Sequence, residues 1–392
     1  MGGAEEGRNS MNQAPPEQLT AAPAPFPAPV ISQAAVSRQI VLVNGPDGGA
    51  LQIEATVLAN IVSGNFFEIT RVIRGSIFGQ VHHGVRVVQH ESFPQAFRRA
   101  EPIEEVAIKV YNRAKLRELA HTTHENPLVE IACLQFLGAN GGHPNVVKQL
   151  ECSMDDENVF SVMEFIDGGE LYDLVEQLQQ RNPPVTLDEP TARSYFVQIV
   201  QGLSYVHSFG VGHRDLSLEN ILIEARTGVC KVIDMGMCLR MSAAPAAAVA
   251  AAAAVAGSVL TFDGPLTRDD GDEQPLVYLL IPPQGTCGKR NYIAPEIIQN
   301  AQPFSPCKVD AWSLGVVLFI LLCGTPPVDI ASNLDQRYQM VANGELRVLL
   351  ETWQLGHISS NAVDLMERLL KVNPDERIRM DDILTHPWVQ NC

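Results

Sequence analysis

The sequence lacks several features that assign a chain to a broad class. Its eight cysteines include no Cys-x-x-Cys pair, so a zinc site is not expected. Residues 1–30 contain no apolar stretch of the length that a signal peptide requires. Because disulfides form mainly in exported proteins, we expect reduced thiols and an intracellular, cytoplasmic location.

Basic charge is also scarce, and the formal net charge is −17 at pH 7. Nucleic acids attract basic surfaces, so nucleic acid is not an expected partner, whereas basic peptides are favoured. Residues 241–262 carry no charge, but they are mostly alanine and are interrupted by Pro245 and Gly257. The apolar run Leu314–Cys323 is too short to cross a bilayer and predicts a buried helix. We therefore expect no membrane partner, and the sequence leaves the oligomeric state open.

The composition divides the chain into regions. Residues 1–65 form an N-terminal extension, of which 1–38, rich in Ala, Pro and Gln, are predicted to be disordered. Within it, two apolar runs flank the turn-like Asn44–Gly49 and predict a hairpin at 39–58. From Phe66 the pattern indicates short strands with one main helix at Pro127–Leu137.

After Gly168 the chain is predicted to be mainly helical. The helices with apolar residues at helical spacing are Leu171–Gln179, Pro190–Ser208, Lys308–Leu322, Leu334–Asn343 and Ala362–Lys371. Residues 241–283 interrupt this region with an alanine tract followed by an acidic stretch. We interpret these residues as a low-complexity insertion, with or without a regulatory role.

A lysine and a glutamate in the strand-rich region form a candidate pair. Lys109 ends an apolar strand pattern, and Glu130 lies at the start of the predicted helix. Each has an ordinary explanation alone, since a strand-terminal lysine is usually solvated and the helix dipole favours an early glutamate. A buried lysine needs a partner to stay charged, so a helix docked on the sheet gives the two residues significance as a pair.

The segment His213–Asn220 is the most informative in the chain. Its loop holds Asp215 and Asn220 close together, so a carboxylate that accepts a proton lies beside an amide oxygen that can face a metal. A strand further on ends in Asp234-Met235-Gly236, where the carboxylate can bind Mg²⁺ between phosphate oxygens. These groups suit the positioning and charge neutralisation that phosphoryl transfer requires.

The ordered set of motifs resembles the eukaryotic protein kinase family, and most of all the calcium/calmodulin-dependent kinase group. The motifs are Val106–Lys109, Glu130, His213–Asn220, Asp234–Gly236 and Ala294–Glu296. The resemblance runs from Phe66 to Cys392. It implies an α+β, bilobal fold with a small strand-rich N-lobe (66–166) and a larger helical C-lobe (167–392).

The resemblance also implies roles for residues at matching positions. Asp215, Lys109 and Glu130 would be catalytic, while Asn220 and Asp234 would bind Mg²⁺. The residues that would contact ATP are Ile73, Gly79, Val81, Ala107, Lys109, Met163, Glu164, Ile166, Glu170 and Leu222. Structural roles are implied for three further sites: Asp310 would brace the catalytic loop, Arg377 would pair with Glu296, and Leu150 would join an apolar column. The implied activity is transfer of the γ-phosphate of ATP to Ser/Thr hydroxyls of protein substrates.

Besides Met235, which replaces the phenylalanine of Asp-Phe-Gly and can fill the same apolar site, four positions depart from the family pattern. Arg74 and Ser76 replace two glycines of the glycine-rich loop, which predicts weaker phosphate binding. Ser217 occupies the usual position of a lysine that contacts the γ-phosphate, and Lys289 replaces a threonine that touches the catalytic aspartate. Lys289 or Arg290 would either supply part of the missing charge or be a solvated loop cation. These departures keep open an alternative, a pseudokinase or scaffold with weak or no phosphotransfer.

Overall fold

The computed structural model describes residues 20–44, 50–93, 95–248, 263–266 and 276–390. Most of the alanine tract and the whole acidic stretch of the predicted insertion lie outside these residues. The predicted disorder of residues 1–38 concerns described residues only from Thr20 onwards.

The N-lobe is a mainly antiparallel sheet with two helices on it. Its strands are β1 (Ser32–Asn44), β2 (Ala50–Asn60), β3 (Phe66–Gly75), β4 (Gly79–Gln89), β5 (Ala96–Arg99), β6 (Glu105–Asn112), β7 (Gln149–Met154) and β8 (Asn158–Glu164). Its helices are α1 (Arg113–Leu119) and α2 (Pro127–Ala139). The predicted strands from Phe66 onwards and the main helix are confirmed, whereas β5 and α1 were not predicted.

The N-terminal hairpin belongs to this sheet rather than to a separate extension. β2 pairs with β3, and β1 pairs in parallel with β7 through Ser32 opposite Ser153. The strands β1-β2-β3-β4-β6-β8-β7 therefore return to β1 and close the sheet. The boundary placed at residue 65 was wrong, because a hairpin of 32–60, longer than the predicted 39–58, supplies two strands of the lobe. Closure leaves the strand edges paired, as in a barrel.

Two apolar clusters pack on opposite faces of β2, because successive side chains of a strand alternate between its two faces. One cluster lies where β5 bridges β1 and β4, and comprises Val41, Ala55, Val57, Val87 and Phe97. The other lies towards β6 and β8, and comprises Ala34, Leu58, Phe67, Val106, Ile108, Phe160 and Val162. The hairpin contributes to both clusters, which explains its place in the fold.

A segment before β1, residues 20–31, forms a strap between the lobes. At its start, the Ala21 N–H donates to the Leu280 carbonyl at 3.0 Å, and the Ala24 N–H donates to the Arg240 carbonyl at 2.7 Å. Further along, Phe26 packs edge-on against Phe136 of α2, with ring centroids 5.9 Å apart. Residues 20–31 were predicted to be disordered, and this prediction was wrong because α2 offers them an apolar surface and hydrogen-bond partners.

The C-lobe is mainly helical. Its helices are α3 (Leu171–Gln179), α4 (Glu189–His207), α5 (Pro295–Gln299), α6 (Pro306–Cys323), α7 (Gln336–Ala342), α8 (Leu346–Thr352), α9 (Ser360–Leu369), α10 (Met380–Leu384) and α11 (Pro387–Gln390). Short strands flank the catalytic segment: β9 (Val211–Gly212), β10 (Ile221–Ile223), β11 (Cys230–Val232) and β12 (Leu239–Arg240). The five predicted helices are all confirmed, with each end within two residues of the predicted one.

Helix α6 forms the centre of this lobe. Among the helices of the described residues, α6 alone has the length and the apolar composition of a membrane-spanning helix. However, 94% of it is buried inside the lobe. Such burial is typical of the core helix of a folded domain. The predicted buried run Leu314–Cys323 lies within it.

The described parts of the predicted insertion form a small sheet. Its strands are β13 (Ala243–Pro245), β14 (Asp263–Leu266) and β15 (Leu276–Tyr278), with β15 in the centre. The Tyr278 hydroxyl donates to the Ser208 carbonyl at 3.1 Å. The ends of the insertion are therefore attached to the C-lobe at the end of α4.

Candidate active site

The lysine and the glutamate predicted as a pair are in contact. Lys109 lies in β6, between Val81 of β4 and Ser161 of β8. Its Nζ donates to Glu130 Oε1 at 2.5 Å, and the ion pair is almost completely buried. The Tyr111 hydroxyl donates to the other carboxylate oxygen, Oε2, at 2.6 Å. Sequence reasoning missed Tyr111, although its spacing of two from Lys109 in a strand places both side chains on one face.

Helix α2 brings Glu130 to the sheet through its N-terminus. The side chain of Asn126 caps the helix by accepting hydrogen bonds from the backbone N–H groups of Leu128 and Val129. The Asn126 N–H in turn donates to the Gly236 carbonyl at 2.8 Å. The start of α2 and the Asp-x-Gly segment are thus hydrogen-bonded to each other.

Asp234 completes the charge arrangement around Lys109. The distance from Lys109 Nζ to Asp234 Oδ2 is 3.8 Å. Burial alone would lower the pKa of Lys109, but Glu130 and Asp234 outweigh it, so the pKa is raised. Burial would raise the pKa of Asp234, yet the ammonium of Lys109 outweighs it and the pKa is lowered. Both groups are therefore charged at neutral pH.

Asp310, at the start of α6, holds the backbone of the catalytic loop. Its carboxylate accepts hydrogen bonds from the N–H groups of His213 (2.7 Å) and Arg214 (2.8 Å), and interacts with His207 Nε2 at 2.8 Å. Arg214 adopts a left-handed backbone conformation, with φ 68°. A non-glycine residue rarely adopts this conformation without support, and Asp310 provides that support.

Asp215 and Asn220 lie side by side at the end of this loop. The Asn220 amide nitrogen donates to the Asp215 carbonyl at 2.7 Å and to its carboxylate Oδ2 at 2.9 Å. Burial raises the pKa of Asp215, opposed by His213, Lys289 and the Asn220 hydrogen bond. The predicted base is thus fixed in position, with one oxygen held by its neighbour.

The donor set of Asn220 and Asp234 fits a Mg²⁺ ion. Both amide donors of Asn220 point to Asp215, so its side-chain oxygen faces away from that residue. The Asp234 carboxylate would supply the second oxygen ligand. Mg²⁺ is usually bound by one or two protein oxygens together with phosphate oxygens and water.

A cavity between the lobes contains most of the residues predicted to contact ATP. Those that line it are Ile73, Val81, Ala107, Lys109, Met163, Glu164, Ile166, Glu170 and Leu222, together with Asp234. Gly79 does not line the described cavity. It lies at the start of β4, where that strand pairs with β6, and a Cβ at this position would be 1.9 Å from the Val110 carbonyl oxygen. A close backbone approach therefore explains this glycine.

The connection between the lobes, residues 164–169, is fixed at its start by Glu164. The Glu164 N–H donates to the Lys148 carbonyl at 3.1 Å, while the Glu164 side chain pairs with Lys231. The backbone N–H and the carboxylate of Glu164 are therefore engaged within the protein. A Cβ on Gly168 would lie 2.3 Å from the Ile223 carbonyl oxygen, so glycine is needed where this connection meets β10.

Similarity to known proteins agrees with this geometry. The family model "Protein kinase domain" matches residues 95–389. The chain belongs to the protein kinase family. The chain is 31% identical over 286 residues to "SNF1-related protein kinase catalytic subunit alpha KIN12" of Arabidopsis thaliana, covering 73% of this chain and 46% of that protein.

Two further relatives are similar over the same region. "SNF-related serine/threonine-protein kinase" of Homo sapiens is 30% identical, covering 73% of this chain and 30% of the relative. "CBL-interacting protein kinase 31" of Oryza sativa subsp. japonica is 32% identical, covering 74% and 53% respectively. These relatives support the resemblance to the calcium/calmodulin-dependent kinase group. The chain spans about a third to a half of the length of these relatives.

At the mouth of the cleft, this kinase domain has an arginine, Arg74, where the family pattern has a glycine. Arg74 Nη1 donates to Glu170 Oε1 at 2.7 Å, so the glycine-rich loop is tied to the C-lobe. The sequence alone cannot distinguish an ion pair between these two residues from two charged side chains that each face solvent.

Leu150, predicted to join the apolar column, is 43% exposed, because β7 carries an irregularity between Gln149 and Glu151. That prediction was wrong.

The loop that precedes Ala294–Glu296 contacts the catalytic loop of the kinase domain. Lys289 Nζ donates to Ser217 Oγ at 2.7 Å and lies 3.5 Å from Glu219 Oε1. The predicted pair of Arg377 and Glu296 is also present, with hydrogen bonds of 2.6 and 2.7 Å. The two positions where the sequence departs from the family, Ser217 and Lys289, therefore lie in direct contact.

Proposed function

We propose that this kinase domain transfers the γ-phosphate of Mg²⁺-bound ATP to serine or threonine hydroxyls of protein substrates. The observation that carries the proposal is the convergence of Lys109, Asp215, Asn220 and Asp234 on one cleft. These groups supply a phosphate-binding cation, a base and two metal ligands. The printed names of the relatives, which include serine/threonine-protein kinases, support the choice of acceptor.

The chain's own groups have distinct tasks in this reaction. Lys109, held by Glu130, binds the phosphates of ATP from the N-lobe side of the cleft. Asp215 accepts the hydroxyl proton of the substrate as the oxygen attacks the γ-phosphorus. Mg²⁺, when bound at Asn220 and Asp234, neutralises charge on the phosphate oxygens.

The acceptor proteins and the location extend this proposal. The net charge of −17 supports substrates with basic residues near the phosphorylated hydroxyl. The location is supported by the reduced thiols of Cys133, Cys152, Cys230, Cys238, Cys287 and Cys323, which favour an intracellular, cytoplasmic protein.

The substitution Asp215→Asn tests the proposal. Removing a general base costs about 10²- to 10⁴-fold in rate, so phosphorylation of a basic peptide by Asp215→Asn should be nearly abolished. Asp381→Asn, at an exposed residue on α10, makes the same chemical change far from the cleft and should leave the rate unchanged. Equal rates for wild type and Asp215→Asn would disprove the assignment of the base.

Nucleotide binding separates the enzyme from a scaffold. A thermal shift with Mg-ATP, combined with peptide phosphorylation by the wild type, is the result expected of the enzyme. Binding without turnover would instead favour the pseudokinase.

A further inference from the structure

The catalytic loop supplies little positive charge of its own towards the substrate side of the cleft. Arg214 is buried, donates to the Met237 carbonyl and to Cys287 Sγ, and lies over the Phe304 ring. Lys109, on the opposite side, is held between Glu130 and Asp234. A further cation next to the transferred group must therefore come from another segment of the chain.

Lys289 is in a position to supply this charge. Its ammonium donates to Ser217 Oγ, two residues beyond Asp215, and lies near Glu219. An ammonium has three donors, and these two contacts leave at least one of them for another acceptor. The side chain is 36% exposed, so its ammonium is accessible to a ligand.

The backbone around Lys289 is fixed against the catalytic loop. Gly288 has φ 97°, and a Cβ there would lie 3.1 Å from the Arg214 carbonyl oxygen. The Tyr292 N–H donates to the Lys289 carbonyl at 2.8 Å, and the Ser313 hydroxyl of α6 donates to the Tyr292 carbonyl at 2.9 Å. The turn is thus anchored to the central helix of the C-lobe, which preorganises the ammonium before ATP binds.

We propose that Lys289 is a catalytic residue that contacts the γ-phosphate and takes the place of a cation missing at Ser217. Its contact with Ser217 and the fixed turn are the observations that carry the proposal, which rests on the proposed function. In the reaction, the acceptor oxygen forms a bond to the γ-phosphorus while the bond from that phosphorus to the β,γ-bridging oxygen breaks. The proton goes to Asp215, and ADP leaves with the electron pair of the broken bond. Lys289 stabilises the charge on the transferred phosphoryl group during this exchange.

The test compares ligands with and without a γ-phosphate. Lys289→Met should lower kcat for peptide phosphorylation by about 10²-fold, the loss typical of removing one charge-stabilising donor. It should also weaken binding of the β,γ-imido analogue of ATP and leave binding of ADP unchanged. Lys289→Arg should retain much of the activity, and Arg290→Met, at the exposed neighbouring cation, should behave as the wild type.

A reciprocal exchange provides the rescue. Lys289→Thr should lose activity like Lys289→Met, and adding Ser217→Lys to it should restore activity to within about tenfold of the wild type, since the cation returns to the same place. Urea unfolding of each variant identifies any that fail to fold, in which case Lys289→Arg and Arg290→Met decide.

Three results would overturn the proposal. One is full activity of Lys289→Met; another is an equal loss of ADP and imido-analogue binding, which indicates a structural role; the third is loss without rescue in a folded double variant. An inactive wild type would disprove the proposed function instead. The comparison of the two nucleotides would still show whether Lys289 contacts the γ-phosphate.

Discussion

The hydrogen bond from Tyr111 to Glu130 leads to a quantitative prediction for Tyr111→Phe. A hydrogen bond to a charged group contributes about 1.5–3 kcal/mol to stability. The Tyr111 ring lies in an apolar cluster with Phe78, Ile131 and Val159, which offers no replacement donor. We therefore expect a loss in the upper part of this range, about 2–3 kcal/mol. The phenyl ring keeps its packing, so the loss reports on the hydroxyl alone.

Loss of the Tyr111–Glu130 hydrogen bond should also affect function, because the bond forms only when α2 is docked on the sheet. Only the docked position of α2 brings Glu130 to Lys109 and Tyr111, so the docked state becomes less favourable relative to any other by the same free energy. A change of 1.4 kcal/mol alters an equilibrium about tenfold. We expect weaker Mg-ATP binding and a lower kcat/KM in Tyr111→Phe.

A double-mutant cycle with Glu130→Gln measures the interaction. Urea unfolding of the wild type, both single variants and the double variant should give a coupling energy of about 1–3 kcal/mol between the two residues. Tyr172→Phe, at an exposed tyrosine of α3, should change stability by less than about 0.5 kcal/mol. A coupling energy near zero, with unchanged kcat/KM, would refute the role assigned to Tyr111.

Three further substitutions test separate contacts. Arg377→Ala leaves the carboxylate of Glu296 without its bidentate partner and should destabilise the protein by about 3–5 kcal/mol, measured by urea unfolding. Phe26→Ala removes the aromatic contact with Phe136, and we expect a loss of about 0.5–1.5 kcal/mol beyond area burial together with a higher KM for ATP. Arg74→Gly breaks the cross-cleft ion pair, whose partly exposed position predicts a stability change below about 1 kcal/mol, but it should speed nucleotide release in stopped-flow measurements.

A separate result would contradict each of these three predictions. An Arg377→Ala variant as stable as the wild type would show that Glu296 is solvated rather than buried. An unchanged KM in Phe26→Ala would show that the strap does not support α2. For Arg74→Gly, a nucleotide release rate equal to that of the wild type would show that the ion pair with Glu170 does not retain the nucleotide.

The sequence predicts the chemistry of the cleft better than its surroundings. Lys109, Glu130, Asp215 and Asn220 could be identified because their order and spacing along the chain are specific, and the structure brings them together. The contact of Tyr111 with Glu130 and the Arg74–Glu170 pair could not, since a strand pattern places a side chain on one face of the sheet but does not specify its partner. Contacts of this kind depend on tertiary packing, which local patterns do not encode.

The errors at the N-terminus have a related cause. Residues 20–31 have the composition of a disordered segment, but composition describes what a segment does alone. Here Phe26 and the polar backbone groups find partners on α2 and the C-lobe. The pairing of Ser32 with Ser153 likewise joins residues far apart in sequence, which hydrophobic periodicity cannot predict.

The strap gives this domain a second mechanical connection between its lobes. In a bilobal enzyme with one connection, the small lobe can both open and twist relative to the large one. Residues 164–169 form one pivot here, and the strap, bonded to Arg240 and continuing into β1, forms another. Together with the Asn126–Gly236 hydrogen bond and the Arg74–Glu170 ion pair, we expect the strap to reduce twisting of the small lobe relative to the large one. Because Phe26 packs against Phe136, we expect a molecule that displaces residues 20–31 to loosen the packing of α2, the helix that carries Glu130.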